Sequence, residues 1–188
     1  MLRRTLISVV MVFATSAGLV AFGQTAADAR GAHAKSHAGY TQVVVDPAVY
    51  ALVAGAGITP APIGGASAAP YADTLAARFP ITGFSLFGLR IKHSGGISLT
   101  AGAATISLSS FYIDLARQRV SGKVAGSIGN VGRVDLFKIR SSARPDLGLV
   151  RLTLTDTAAG ALNATFGVQA FAGGDTFGYE TPRPFARR

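Results

Sequence analysis

Few side chains in this sequence are equipped for chemistry, and the types that are missing narrow the field. There is no cysteine and no tryptophan, which excludes thiol nucleophiles, zinc–thiolate sites and iron–sulfur clusters. General acid–base work needs a convergent set of titratable groups, yet the sole glutamate is Glu180, near the C-terminal end. Asp114 and Asp135 have the chemistry of a glycosidase carboxylate pair. Each falls on an alternating strand, however, where an outward-facing charge is the ordinary explanation. The sequence contains no Gly-x-Ser-x-Gly elbow, no phosphate-binding glycine loop and no His-Glu-x-x-His. These features assign no catalytic residue and point away from an enzyme.

Three histidines remain. His33 and His37 are four residues apart, a metal-ligand spacing on a helix. They lie in a Gly/Ala/Ser-rich stretch with no helical period, so they read as a solvated leader and no metal site is assigned. His93 differs. It continues the alternation Leu89, Ile91, His93, which turns its ring inward where the strand meets Ser94-Gly95-Gly96. There an imidazole has two readings. It can ligate a metal or haem iron, the glycines leaving room for the ligand to approach. Or it is hydrogen-bonded to the neighbouring turn and needs no ligand.

The elements that must position these residues are mostly strands. Gln42–Val45 is a short β run. Asp46-Pro47 then opens a helix, because the carboxylate accepts free first-turn N–H groups and Pro suits the first helical position. Val49, Leu52 and Val53 form its apolar stripe, which stops near Gly55–Gly57. Residues 58–78, rich in Pro and Gly, read as a linker-like loop. From Phe79 onward period 2 takes over, with Phe87, Leu89 and Ile91 expected on one buried face. Ile106/Leu108 and Phe111/Ile113/Leu115 are out of phase by one residue, which predicts a β-bulge or corner at Ser109-Ser110. Val120–Val124, Val134–Ile139 and Val150–Leu154 supply further strands. A second helix is capped by Thr155, buries Ala158, Ala161, Leu162 and Phe166, and stops at Gly167. The expected fold is mainly β: a β-sandwich or open barrel of antiparallel strands with two short helices.

Arg3 and Arg4 precede an apolar run from Leu6 to Phe22, and Ala27-Asp28-Ala29 offers small residues for signal peptidase. The expected organisation is a signal peptide over 1–29, a flexible leader over 30–41, one domain over 42–180 and a basic tail over 181–188. No membrane span is expected once the signal is removed. The chain is basic, with a formal net charge of +9, but lacks the Lys/Arg cluster with interleaved aromatics that nucleic acid would favour. Anionic wall polymers, lipid headgroups or acidic ligands are the more natural partners for a secreted or cell-envelope protein.

Several segments carry a resemblance. Phe79-Pro80-Ile81-Thr82-Gly83, then Ile91-Lys92-His93-Ser94-Gly95-Gly96-Ile97-Ser98-Leu99, then Ser110-Phe111-Tyr112-Ile113-Asp114 resemble a family of exported actinobacterial proteins. Leu152-Thr153-Leu154-Thr155 and Ala161–Gly167 extend it, and Phe171-Ala172-Gly173-Gly174 ends it. The same order is distantly similar to the HtaA-type haem-binding domain, with Asp46–Gly57 standing where haem-binding members carry a Trp-containing opening. The resemblance implies a secreted or surface-attached β-rich module that takes haem through Tyr and His. Here that means His93, with Tyr112 or Tyr50 as the iron-side phenolate. The reading is an exported, non-catalytic binding or structural module. A small secreted hydrolase, or a wall-polymer-associated structural protein without a small-molecule ligand, is the alternative.

Overall fold

The computed structural model describes residues 39–85, 87 and 89–186. The segment expected to be a signal peptide, the expected cleavage site, His33 and His37 lie outside the described residues. The elements run β1 (Gly39–Val45), α1 (Pro47–Gly55), β2 (Thr59–Ile63), β3 (Ser67–Tyr71), β4 (Thr74–Ser85), β5 (Arg90–His93) and β6 (Gly96–Ala101). They continue with β7 (Ala104–Asp114), β8 (Arg119–Gly126), β9 (Gly129–Ser141), β10 (Val150–Leu154), α2 (Asp156–Phe166) and β11 (Thr176–Pro184).

Eight of these strands close a ring in the order β1-β4-β5-β7-β8-β9-β10-β11 and back to β1, every pairing antiparallel. Of the two architectures expected, the structure is the barrel, and the β7–β8 ladder shuts it. Closure leaves the ring without an edge that could pair with another chain. Its inner face carries the core: Ile81, Ile106, Ile113 and Leu136 are essentially inaccessible. Phe79 and Phe111 meet inside it edge to face, with ring centroids 4.9 Å apart.

Local signals in the chain set both helices. The Asp46 carboxylate accepts the Ala48 N–H at 3.0 Å with Pro47 in the first turn of α1. Thr155 caps α2 through its hydroxyl, which accepts the Ala158 N–H at 3.1 Å, and Gly167 ends that helix at φ 65°. Ala158 and Leu162 enter the core, and Ala161 and Phe166 pack against it. The phase slip is also real. The β7–β8 register shifts between Ser109 and Tyr112, and Ser110 sits at φ 51°.

Three expectations are corrected. Residues 58–78 are not a linker: they hold β2, β3 and the start of β4. Among the described residues β2 pairs with β6 alone and β3 with β4 alone, and one-sided edge strands tolerate Pro60, Pro62 and Pro70 because a missing N–H can face away from the partner. Second, Phe87 and Leu89 are not on a buried face. They belong to the β4–β5 turn, Phe87 wholly exposed and Leu89 at φ 46° and half exposed, so the strand begins only at Arg90. Third, the domain is wider than 42–180. Gly39–Thr41, read as leader, and Thr181–Pro184, read as tail, pair with each other in the β1–β11 ladder.

Candidate functional site

β5 and β6 lie end to end along one edge of β7: β6 pairs with Ala104–Ser109 and β5 with Tyr112–Asp114. The chain passes from one to the other through Ser94-Gly95, opposite the Ser110 kink, and the Ser110 N–H donates to Gly95 O at 2.9 Å. The β4–β5 ladder also shifts register, between Ile81 and Gly83. Two irregularities therefore flank one stretch of barrel wall, and His93 is set into it.

The glycines here do not leave room for a ligand. A Cβ on Gly96 would collide with Leu108 O, and one on Gly95 would lie 2.7 Å from Ala66 N and 2.8 Å from Ile63 O. Their missing side chains admit the protein's own β7 and β2–β3 backbone.

His93 is buried, and both ring nitrogens are engaged. Nδ1 lies 3.2 Å from Phe111 O and Nε2 lies 2.7 Å from Thr41 Oγ1. A carbonyl can only accept, so Nδ1 carries the proton. In the neutral ring Nε2 then accepts from the Thr41 hydroxyl. Burial pushes the imidazole down to about 4, against a smaller upward pull from the Phe111 carbonyl, so His93 is neutral at physiological pH. The partners lie on β7, the strand paired with β5, and on β1, one strand beyond β4, and not in the adjacent turn.

Inside the wall is a cavity of about 60 Å³, room for a few water molecules. Its lining is apolar except for Thr41, His93 and Glu180. Glu180 is 2% exposed, and among the described residues its carboxyl has no side-chain or backbone hydrogen bond. Desolvation raises it to about 8, so at neutral pH it is a protonated acid. Sequence reasoning missed both Thr41 and Glu180. A lone Glu beside a tail looks solvent-facing until β11 is known to lie in the barrel wall.

Outside the same wall is an open cleft of about 510 Å³. His93 and Phe111 border it as well as the inner cavity. Tyr112 lines it, with Lys92, Lys123 and Arg133. Arg133 is held in place by donating to Ser110 O at 2.7 Å and to Ser121 Oγ at 3.2 Å. The structure thus brings His93 and Tyr112 to one site, on opposite faces of the wall. Tyr50 is elsewhere: it lies on α1, at an apolar cavity it shares with α2 residues Leu162 and Phe166.

Neither aspartate approaches His93's cavity or cleft. Asp114 is buried on the outer face, 3.4 Å from Arg90 Nε, and accepts the Arg117 N–H; Asp135 lies 3.8 Å from Arg119 Nε.

No family model matches the sequence, and no curated protein does. Among solved structures the chain is similar to the C-terminal domain of HtaA from Corynebacterium glutamicum, at 14% identity and a TM-score of 0.53, covering 76% of this chain and 93% of that one. It is also matched to the heme-binding protein HtaB of the same organism, at 11% identity and a TM-score of 0.49, covering 74% and 88%. At these identities the likeness is one of fold: this chain has the barrel of the HtaA C-terminal domain, in keeping with the distant similarity carried by its sequence segments.

Proposed function

We propose that this chain is an exported, non-catalytic binding module that holds haem in the outer cleft, with Tyr112 as the iron-side oxygen. One observation carries the reading: a phenol and three cations converge on a cleft of about 510 Å³, within the size range of small-molecule sites. A ferric haem can take a phenolate oxygen as an axial ligand and has two carboxylates that pair with cations, and the cleft offers both kinds of group. Bound there, the iron would supply Lewis acidity. Lys92, Lys123 and Arg133 would take the carboxylates. His93 stands behind Phe111 and Tyr112 as a positioning residue, since the Thr41 hydroxyl caps its Nε2. The sequence resemblance to HtaA-type domains supports the same ligand, and the reading of residues 1–29 as a signal peptide would put the work outside the cytoplasm, in the secreted fraction or at the envelope.

A hydrolase has one feature in its favour. Thr41 and His93 have the spacing of a nucleophile and its base, with Phe111 O orienting the ring. That pair faces a cavity of about 60 Å³, too small for a substrate, and an imidazole lowered to about 4 is a weak base. The binding reading is therefore preferred.

Haem titration of residues 39–188, followed at the Soret band, tests it. Wild type should give a saturable one-to-one band. Tyr112→Phe should weaken binding by about tenfold or more, the loss of one coordinating contact, and Lys123→Ala by less. Tyr50→Phe should leave it unchanged. A flat titration, or a Tyr112→Phe variant that binds like wild type, overturns the assignment.

A further inference from the structure

Four chain connections gather at one end of the barrel. The β4–β5 turn, the β7–β8 turn, the β9–β10 connection and the exit from β11 all leave from it. Their ladders run out there at Ser85↔Arg90, Asp114↔Arg119, Ser141↔Val150 and Gly39↔Pro184. Neighbouring turns touch, the Leu115 N–H donating to Leu89 O at 3.0 Å. Both described helices lie beyond the opposite end, where β1 leads into α1 and β10 into α2, so among the described residues no helix covers this one.

Most of the exposed large apolar side chains among the described residues sit on these four connections, namely Phe87, Leu89, Leu115, Leu149 and Phe185, or, for Phe84, on the end of β4 beside them. Phe87 is wholly exposed, Phe185 79% and Leu149 64%. Scattered single apolar residues are normal on a surface. Six gathered on or beside four neighbouring connections at one end of a barrel are not scattered. Leu89 is moreover held at φ 46°, a conformation unfavourable for its side chain. Cations surround these tips. Arg90, Arg117, Arg119, Arg140, Arg144 and Arg183 lie on the same turns or the adjoining strand ends. Asp114, Asp135 and Asp146 pair with Arg90, Arg119 and Arg144, which leaves Arg117, Arg140 and Arg183 outside these ion pairs.

We propose that this end of the barrel docks on an anionic lipid bilayer. The aromatic and leucine tips enter the boundary between headgroups and acyl chains, and the arginines pair with lipid phosphates. Charge complementarity selects this occupant. A second copy meeting the same end by a two-fold axis would set arginines against arginines. A hydrophilic wall polymer would satisfy the charge but leave the apolar tips in water. The proposal does not rest on haem binding, whose cleft opens on the side wall.

Co-sedimentation of residues 39–188 with phosphatidylcholine vesicles, with and without phosphatidylglycerol, tests it; the barrel closes and completes its core within this unit. Binding should require phosphatidylglycerol and fall as salt rises. Phe87→Ser combined with Phe185→Ser should weaken it by about tenfold or more, the loss expected from aromatic insertion. Arg117→Ser should weaken it less. Ile128→Ser with Val131→Ser, at the far end on the β8–β9 turn and the start of β9, should leave it unchanged. Thermal midpoints should match wild type throughout. The proposal is overturned if neither vesicle binds, if the far-end pair matters and the tip pair does not, or if Phe87→Ser instead abolishes self-association, which would give this end to a second copy.

Discussion

At the residue scale, two buried ionisable groups face one apolar cavity and are shifted in opposite directions. Burial lowers His93 from 6.5 to about 4 and raises Glu180 from 4.5 to about 8. Both are therefore neutral in the folded protein at pH 7, which is how a barrel interior tolerates them without a counterion. The signs of their linkage oppose each other. For His93 the unfolded chain binds the extra proton between about 4 and 6.5, so stability is lost as pH falls through that window. For Glu180 the folded chain binds it between 4.5 and about 8, so stability is lost as pH rises through that window. The two slopes cancel between 4.5 and 6.5. From these groups we expect a plateau there, then a decline of about 1.4 kcal/mol per pH unit above it. Denaturant unfolding across pH checks this. Glu180→Gln should remove the decline between 6.5 and about 8; an unchanged profile would mean that Glu180 is ionised in the fold.

At the scale of elements, the wall around His93 depends on how closely β6 approaches β7. Gly96 is in register with Ser109, and a Cβ there would collide with Leu108 O. Gly96→Ala must push β6 away from β7 beside the Ser110 kink, and we expect a loss of about 1–3 kcal/mol, the usual cost of overpacking. Chemical denaturation measures it. Because Phe111 O orients His93 from the same strand, haem affinity should fall in this variant too. The prolines of β2 and β3 show the complementary device. Strands that pair on one side can carry residues that would break a strand paired on both, and these residues discourage further pairing.

For the whole molecule, closure joins the two ends of the described chain. β1 is the first strand and β11 the last, and they pair from Gly39↔Pro184 to Val45↔Gly178. Such contacts have the largest sequence separation available, so closure is expected late in folding. Ending the chain after Thr181 removes the Pro182, Arg183 and Pro184 partners of Thr41, Tyr40 and Gly39. We expect the thermal midpoint to drop by about 5 °C, corresponding to roughly 2 kcal/mol for a protein of this size. Calorimetry checks it, and a midpoint equal to wild type would show that the barrel is held shut without these three pairs. Closure also sorts the surface. The helices lie beyond one end, and the other is left with its apolar and arginine-bearing loops.

What the sequence by itself determined was local. Asp46-Pro47, Thr155 and Gly167 mark their helices because capping is settled within a few residues of chain. The slip at Ser109-Ser110 shows because side-chain period 2 leaves a visible phase error when a residue is inserted. The inward turn of His93 follows from the same period. Tertiary structure decided the rest, since it depends on partners far away in the chain. Nothing near Pro60, Pro62 or Pro70 says that these residues can pair on one side. Phe87 and Leu89 carry the alternation of a buried strand, and only the β4–β5 turn puts them in solvent. Thr41 meets His93 from 52 residues away, and Glu180 turns inward only because β11 completes the barrel between β10 and β1. Burial and pairing across the barrel are sums over distant segments. A local pattern specifies which face a side chain takes, but not what stands opposite it.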